Sequence, residues 1–379
     1  MTTETILSNA RIVLADELID GSLLIRDGII ADVSHGAVRT GEDIGGDYLI
    51  PGLVELHTDH LEGHYMPRPK VRWNPLAAVL AHDAQISTAG ITTVLDALRV
   101  GLDEDAELTS PEIRKLGDAI KEGVRNDRLR ADHFLHLRCE VSAPDCLEAF
   151  ALFEDDERVK LASLMDHSPG QRQFVNMETY AYYYQRRMKL SDQDFKRFCD
   201  RRIGESQRYS PANRAAISAV CQARGIVLAS HDDATAAHVE EAVAQGIRVA
   251  EFPTTHEAAM ASRDAGLGVL MGGPNVVRGG SHSGNVSARS LAEEGLLDIL
   301  SSDYIPFSLI QSAFFLGEVV DGISLPQAVA MVSKNPAEAV GLTDRGVITP
   351  GRRADLVRVR VDEHIPVVRT VWREGRRVA

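Results

Sequence analysis

Hydrophobic and polar positions follow two rhythms along this chain. Residues 4–34 alternate short apolar runs with turn signals, and the Asp-Gly pairs at 20–21 and 27–28 punctuate them as hairpin turns do. Residues 346–379 read the same way, through GVITPGRRADLVRVRVDEHIPVVRTVWREGRRV. Chain termini of a domain often lie close together, so residues 1–50 and 345–379 are expected to form one small β-sandwich. Between them, strand-like runs at 53–57, 91–97, 133–140, 160–166, 226–231, 248–253, 267–272 and 297–302 alternate with helical segments. The helices fit 75–89, 110–126, 211–224, 235–245, 256–265 and 286–295. About eight β-then-α units over 51–344 predict an α/β fold, a distorted TIM (β/α)8 barrel with its chemistry at the carboxyl ends of the strands. An open doubly wound sheet is the alternative, weakened because no GxGxxG opens a helix after the first strand. Residues 170–210, charged and rich in tyrosine (Tyr180, Tyr182, Tyr183, Tyr184), break the repeat after the fourth strand. They predict a helical insertion, either a lid or a packed helix pair or oligomer contact.

The residues that end each strand carry the chemistry. The first strand follows Pro51-Gly52 and ends in His57-Thr58-Asp59. Residues two apart on a strand share a face, so His57 and Asp59 can reach one metal ion. Later strands end in Glu140, in Asp166-His167, in His231-Asp232-Asp233, in Glu251-Phe252-Pro253 and in Asp303. Each alone has an ordinary explanation: a histidine in a hydrogen-bonded loop, or an aspartate capping the next helix, as Asp232 or Asp233 would near 235. Together, so many imidazoles and carboxylates on one rim call for a cation.

Bulk properties narrow the class. The 379 residues are 44% hydrophobic and 25% charged, ordinary for a globular enzyme. No apolar run approaches the ~20 residues of a membrane helix, and MTTETILSNARIVL lacks a signal-peptide pattern, so no membrane association and a cytoplasmic location are expected. Cys139, Cys146, Cys199 and Cys221 show no CxxC spacing and read as buried thiols. A formal net charge of −14 argues against nucleic-acid binding but leaves room for a locally basic pocket.

Such a pocket is legible. Arg68, Lys70 and Arg72 follow the first strand, Arg138 lies on the third, and Arg172 follows the fourth. After the seventh comes GGPNVVRGGSHSGN, residues 272–285, with Arg278 and His282 among glycines that let backbone amides approach an anion. The loops after strands seven and eight of such barrels often hold phosphate. Arg138, two residues before Glu140, either meets substrate or neutralises that carboxylate.

The combination resembles the amidohydrolase superfamily over nearly the whole chain: the N-terminal β piece, His57-x-Asp59, the barrel, Asn335-Pro336-Ala337 and Gly351-Arg352-Arg353-Ala354-Asp355-Leu356. The superfamily usually has His-x-His where this chain has His-x-Asp, and often a bridging carboxylated lysine; Lys160 lies at the wrong end of its strand, and Glu140 is the better bridging candidate. The strings HTDHLEGHYMPRPKVRW, HLRCE, SLMDHSPGQRQF, ASHDDAT, EFPTT and DILSSDY are similar to the triphosphate-cleaving branch of the C–P lyase (phosphonate utilisation) pathway. The resemblance implies a phosphorylated small-molecule substrate, α-D-ribose 1-methylphosphonate 5-triphosphate, cut to its 5-phosphate and diphosphate. It implies one or two divalent metals, zinc first, with manganese or iron open, held by His57, Asp59, Glu140, His167, His231 and Asp303. Asp303 is expected to orient the attacking water and take its proton. Arg68, Lys70, Arg138, Arg172, Arg278 and His282 are the candidates for substrate contact. His82 and His256 are weaker candidates for phosphate contacts, and Asp166 and Asp232 for orienting the histidines beside them. A metal-dependent amidohydrolase acting on a C–N bond remains the alternative, a homo-oligomer is left open, and a catalytically silent barrel would be expected to lack metal ligands.

Overall fold

The computed structural model describes residues 3–102, 108–172, 180–281 and 284–379, and of Tyr182, Tyr183 and Arg187 the backbone alone. The proposed contact of His282 therefore lies outside the described residues.

Strands β1 (Glu4–Val13), β2 (Leu18–Arg26), β3 (Ile29–His35), β4 (Glu42–Asp43) and β5 (Tyr48–Pro51) open the chain. Then come β6 (Leu53–Thr58), β7 (Ile91–Val100), β8 (Asp132–Glu140), β9 (Val159–Met165), β10 (Val227–His231), β11 (Val249–Glu251), β12 (Gly268–Gly272) and β13 (Ile299–Ser301). The last are β14 (Leu356–Asp362), β15 (Ile365–Arg373) and β16 (Arg376–Arg377). The terminal strands pair in the order β16-β15-β14-β5-β1-β2-β3, with β4 also beside β1. Alternate apolar residues on this sheet, among them Leu7, Ile12, Leu23, Leu49, Leu356 and Trp372, make a core of their own. Asp27 and Gly28 both have positive φ, as the tight β2–β3 turn requires. Asp20-Gly21, by contrast, lies inside β2 and is no turn. A Cβ at Gly21 would sit 2.5 Å from the Ser34 carbonyl oxygen, so glycine is needed there for a close backbone approach.

β6 to β13 form one parallel sheet in chain order. Thr58, at the end of β6, bridges in parallel to Asp303 just past β13, which brings the sheet back on itself as an α/β barrel. Its first strand is buried at every position, as strands covered on both faces must be. The intervening helices include α1 (His60–Tyr65), α2 (Pro75–Thr88), α3 (Ser110–Arg125), α4 (Cys146–Ala151), α5 (Asp192–Arg224), α6 (Ala236–Ala244), α7 (His256–Asp264), α8 (Gly273–Arg278), α9 (Ala288–Glu293) and α10 (Ser308–Val319).

Two further sequence expectations change. The helix foreseen at 211–224 is the second half of α5, which runs for 33 residues straight through Pro211. A proline suits the first turn of a helix, and that preference makes 211 look like a start. The glycine-rich stretch after β12 contains α8, not only loop. A Cβ at Gly273 would lie 2.8 Å from the Ser312 Oγ and 3.0 Å from the Ser308 carbonyl oxygen, so this glycine serves packing against α10.

By contacts the chain divides into two compact units. One comprises Met1–Asp96, Asp118–Phe134 and Met271–Ala379; the other comprises Ala97–Gly117 and Leu135–Leu270. In the second, α5 presents a stripe at positions 202, 206, 210 and 213 to the ends of β8 and β9. Ser206 and Ser210 donate to Asp166 Oδ2 at 2.7 and 2.8 Å, and the Asn213 side chain donates to the Val141 carbonyl at 2.8 Å. Tyr180 and Tyr184 pack with Phe198 and Cys199 into a small apolar cluster. The insertion is thus docked on the strand ends by a polar helix face, while its aromatic cluster packs the insertion against itself. Among the described residues no helix is long and apolar enough to cross a membrane, and all four cysteines are buried free thiols.

Candidate active site

In the first unit, β6 carries His57 at its penultimate position, 1% exposed, with Asp59 just past the strand. The His57 backbone N–H donates to Glu55 Oε1 at 2.7 Å, and the Ser302 N–H donates to Glu55 Oε2 at 2.7 Å. This fully buried carboxyl ties the ends of β6 and β13 together. Burial pushes its pKa up to about 7 against those hydrogen bonds. Asp303, half-buried, donates its N–H to the His57 carbonyl at 3.1 Å. Asp59 precedes α1 without capping it through its side chain.

In the second unit the strand ends converge more tightly. His167 Nδ1 lies 2.6 Å from Glu140 Oε2, and His231 Nδ1 lies 2.7 Å from Glu251 Oε2. Each imidazole is therefore held by a carboxylate at Nδ1, which leaves Nε2 to face elsewhere. Both Nε2 atoms face Asp232, at 3.8 Å from His167 and 3.4 Å from His231. Ligand atoms of His167, His231 and Asp232 all lie within 4.8 Å of one another. Two imidazoles oriented by carboxylates, plus one carboxylate oxygen, are a donor set that fits a divalent metal of the zinc type.

Asp232 reaches this position through its backbone. Adjacent strand residues point to opposite faces, so His231 and Asp232 should diverge. β10 ends at His231, and Asp232 takes φ +58°, which turns its carboxylate back beside the ring. Phe252 after β11 and Asp303 after β13 also have positive φ, +54° and +56°. Left-handed backbone at non-glycine residues costs energy and gathers at functional sites.

Glu140 is fully buried and both its oxygens are engaged. Oε1 accepts from the Ser142 hydroxyl at 2.6 Å and the His167 N–H at 3.1 Å, and Oε2 also faces Arg99 Nη2 at 3.3 Å. Arg202 Nη2 stands 3.7 Å from Oε1. Burial acts to raise its pKa, but His167, Arg99 and Arg202 outweigh it and hold the carboxyl well below the usual range. Burial likewise disfavours the His167 imidazolium, yet Glu140 outweighs it and lifts this histidine above its ordinary value. Glu140 thus bonds the His167 ring directly at Nδ1, where the sequence suggested a metal bridge.

The other expected residues scatter. Arg172 is 3% exposed and paired with Asp233 and, at 2.8 Å, with Glu241 Oε2. Burial and neighbouring Arg214 depress its pKa to about 9, and its ion pairs hold the guanidinium in a buried network. Asp166 faces Ser206 and Ser210 of α5, which replaces the expected role of orienting His167. Asp232 does not cap α6; Thr235 does, accepting from the His238 N–H. Arg138 is half-buried, while Arg68, Lys70 and Arg278 are exposed. Arg278 ends α8, where a cation complements the helix dipole. His256 is exposed at the first turn of α7. His82 is fully buried and bonded to Asp96 at 2.8 Å. The sequence placed Glu251 at a strand end without giving it a role, and gave no signal for Glu55, Arg99 or Arg202. Glu251 carried a signal: it ends its strand as His231 ends the one before.

The barrel, the terminal sheet and the histidine–carboxylate strand ends place this molecule among metal-dependent hydrolases, and the chain belongs to the amidohydrolase family. A family model described as "Amidohydrolase family" matches residues 189–379. The chain is 49% identical over 377 residues, 98% of its length and 100% of the relative's, to alpha-D-ribose 1-methylphosphonate 5-triphosphate diphosphatase of Escherichia coli (strain K12). It is 25% identical to an imidazolonepropionase of Deinococcus deserti, covering 95% of this chain and 92% of that one. Among solved structures, N-acetyl-D-glucosamine-6-phosphate deacetylase from Mycobacterium smegmatis has the same fold, with a TM-score of 0.63, 17% identity, and 99% of this chain and 100% of that chain covered.

Proposed function

We propose that this protein is a metal-dependent hydrolase that cleaves α-D-ribose 1-methylphosphonate 5-triphosphate to the 5-phosphate and diphosphate. The observation that carries the reading is the full-length likeness to the E. coli enzyme of that activity. The cation is zinc in this reading, because the donors are imidazole nitrogen and carboxylate oxygen. His167, His231 and Asp232 supply one group of ligands, and His57, Asp59 and Asp303 the donors at the other strand ends. A divalent metal held there would lower the pKa of a water to ~7 and would polarise a phosphoryl oxygen. Asp303 orients the attacking water and accepts its proton. The new bond forms between that water oxygen and the α-phosphorus, and the bond from the α-phosphorus to the diphosphate oxygen breaks. Arg68, Lys70, Arg138 and Arg278 attract and hold the phosphate chain. Glu140 and Glu251 keep the rings of His167 and His231 aimed through Nδ1. Buried free thiols agree with a reducing, cytoplasmic setting.

Phosphorus NMR of the products from the ribosyl triphosphate and from ATP tests the substrate: diphosphate from the first is expected, and none from it removes the reading. Asp303→Asn tests the mechanism. Turnover should fall by roughly 10²–10⁴, as for loss of a general base; undiminished turnover excludes the role.

A further inference from the structure

Three histidines outside the strand-end donors face one another in the first unit. His60 and His64 stand one turn apart on α1, and His82 comes from α2. Their ring centroids are separated by 5.0, 5.9 and 6.1 Å. A ligand atom from each lies within 4.8 Å of the other two. Tetrahedral zinc with bonds of ~2.1 Å needs nitrogens about 3.4 Å apart, inside the 4.8 Å limit that these ligand atoms meet.

The hydrogen bonds on the far sides of the rings set the tautomers. Asp96 Oδ1 accepts from His82 Nε2 at 2.8 Å, and Asp96 Oδ2 is fixed by His133 Nδ1 at 2.7 Å. Gln85 Oε1 accepts from His64 Nε2 at 3.0 Å. Each acceptor keeps a proton on Nε2 and a lone pair on Nδ1. His82 Nδ1 is buried with no hydrogen-bond partner among the described residues, and so is His60 Nδ1. His82 itself is wholly buried. An orphaned buried polar nitrogen costs ~1–3 kcal/mol, and the lone pair this tautomer leaves on His82 Nδ1 is satisfied by a cation between the rings.

We propose that His60, His64 and His82 bind a second divalent transition metal of the zinc class. An imidazole-only set favours zinc, copper or nickel over magnesium or calcium. Asp96 and Gln85 are its orienting partners, the pattern of carboxylate–histidine–metal sites. The metal clamps α1 to α2 and so steadies the segment from Asp59 to Arg72, which carries exposed Arg68 and Lys70. The site shares no residue with the strand-end donors, so it stands or falls separately from the hydrolytic reading.

The test is metal stoichiometry. The full-length protein is stripped with a chelator and titrated with Co²⁺, reading visible absorption and bound equivalents. His64→Gln and His60→Gln should each bind one equivalent fewer than wild type, while His231→Gln keeps that equivalent. Equal stoichiometry in wild type and in either folded variant overturns the site and leaves a water between the rings. Gln85→Leu keeps all three rings and guards against misfolding: affinity for this equivalent should drop about tenfold, and unchanged affinity in it also overturns the proposal.

Discussion

Glu140→Gln keeps the shape of a fully buried side chain and removes its charge. The carboxylate accepts from His167 Nδ1 at 2.6 Å, Ser142 Oγ at 2.6 Å, the His167 N–H at 3.1 Å and Arg99 Nη2 at 3.3 Å. An amide offers one acceptor oxygen and an NH₂ group, so donors on one side must face donors. Arg99 and Arg202 also lose their counter-charge. Breaking a buried, hydrogen-bonded charge group of this kind costs ~3–5 kcal/mol of stability. If Glu140 acts by orienting His167, metal affinity falls roughly 10–100-fold, which is ~1.4–2.7 kcal/mol. The assay is competition against a chromogenic chelator for wild type, Glu140→Gln, His167→Gln and the double variant. A partner acting through His167 has no further effect once His167 is gone, so the double variant should match His167→Gln within ~0.5 kcal/mol. Additive losses would refute the reasoning. So would Glu140→Gln discarding a whole metal equivalent, which would make Glu140 a ligand in its own right.

Three further outcomes are expected. Burial opposes the charge on His133, but Asp96 and Asp83 outweigh it and raise its pKa from 6.5 to about 9. Its stabilisation is complete below pH 6.5 and disappears as pH rises through about 9; the stability gap to His133→Asn should shrink by ~3 kcal/mol across that window, and a pH-independent gap counts against the pairing. Arg172→Met should lower thermal stability, by ~3–5 kcal/mol for a broken buried pair, with KM nearly unchanged; a tenfold rise in KM at constant stability would restore Arg172 as a substrate contact. Gly273→Ala should likewise destabilise, by ~1–3 kcal/mol of overpacking, because the added methyl meets Ser312 and Ser308; a raised KM with unaltered melting would instead favour an anion cradle.

Much of the barrel was legible because its signal is local. All eight expected strands of the repeat match β6 to β13 within a few residues, since short β-rich runs between turn residues report their own state. His57, His167 and His231 stood out for a related reason: histidines at or just past the ends of buried strands lie on the rim where barrels do chemistry. Less was legible where a residue's role depends on a partner distant in sequence. Glu140 meets His167 across 27 residues and Arg172 meets Asp233 across 61, and nothing in either neighbourhood announces the pairing. Asp20-Gly21 and Gly273 were misread because glycine serves turns, anion sites and close packing alike, and only the atoms opposite the missing Cβ distinguish them.

The sequence by itself determined the parallel strand–helix repeat, the all-β termini and the supply of histidines and carboxylates at strand ends, because these follow from side-chain periodicity and turn chemistry. Which of those groups lie beside one another, and which carboxylates bond the imidazoles, is set only by the tertiary structure. That division rests on long-range geometry: a left-handed Asp232 turning back beside His231, carboxylates behind the two imidazoles, and a buried arginine already neutralised by its neighbours.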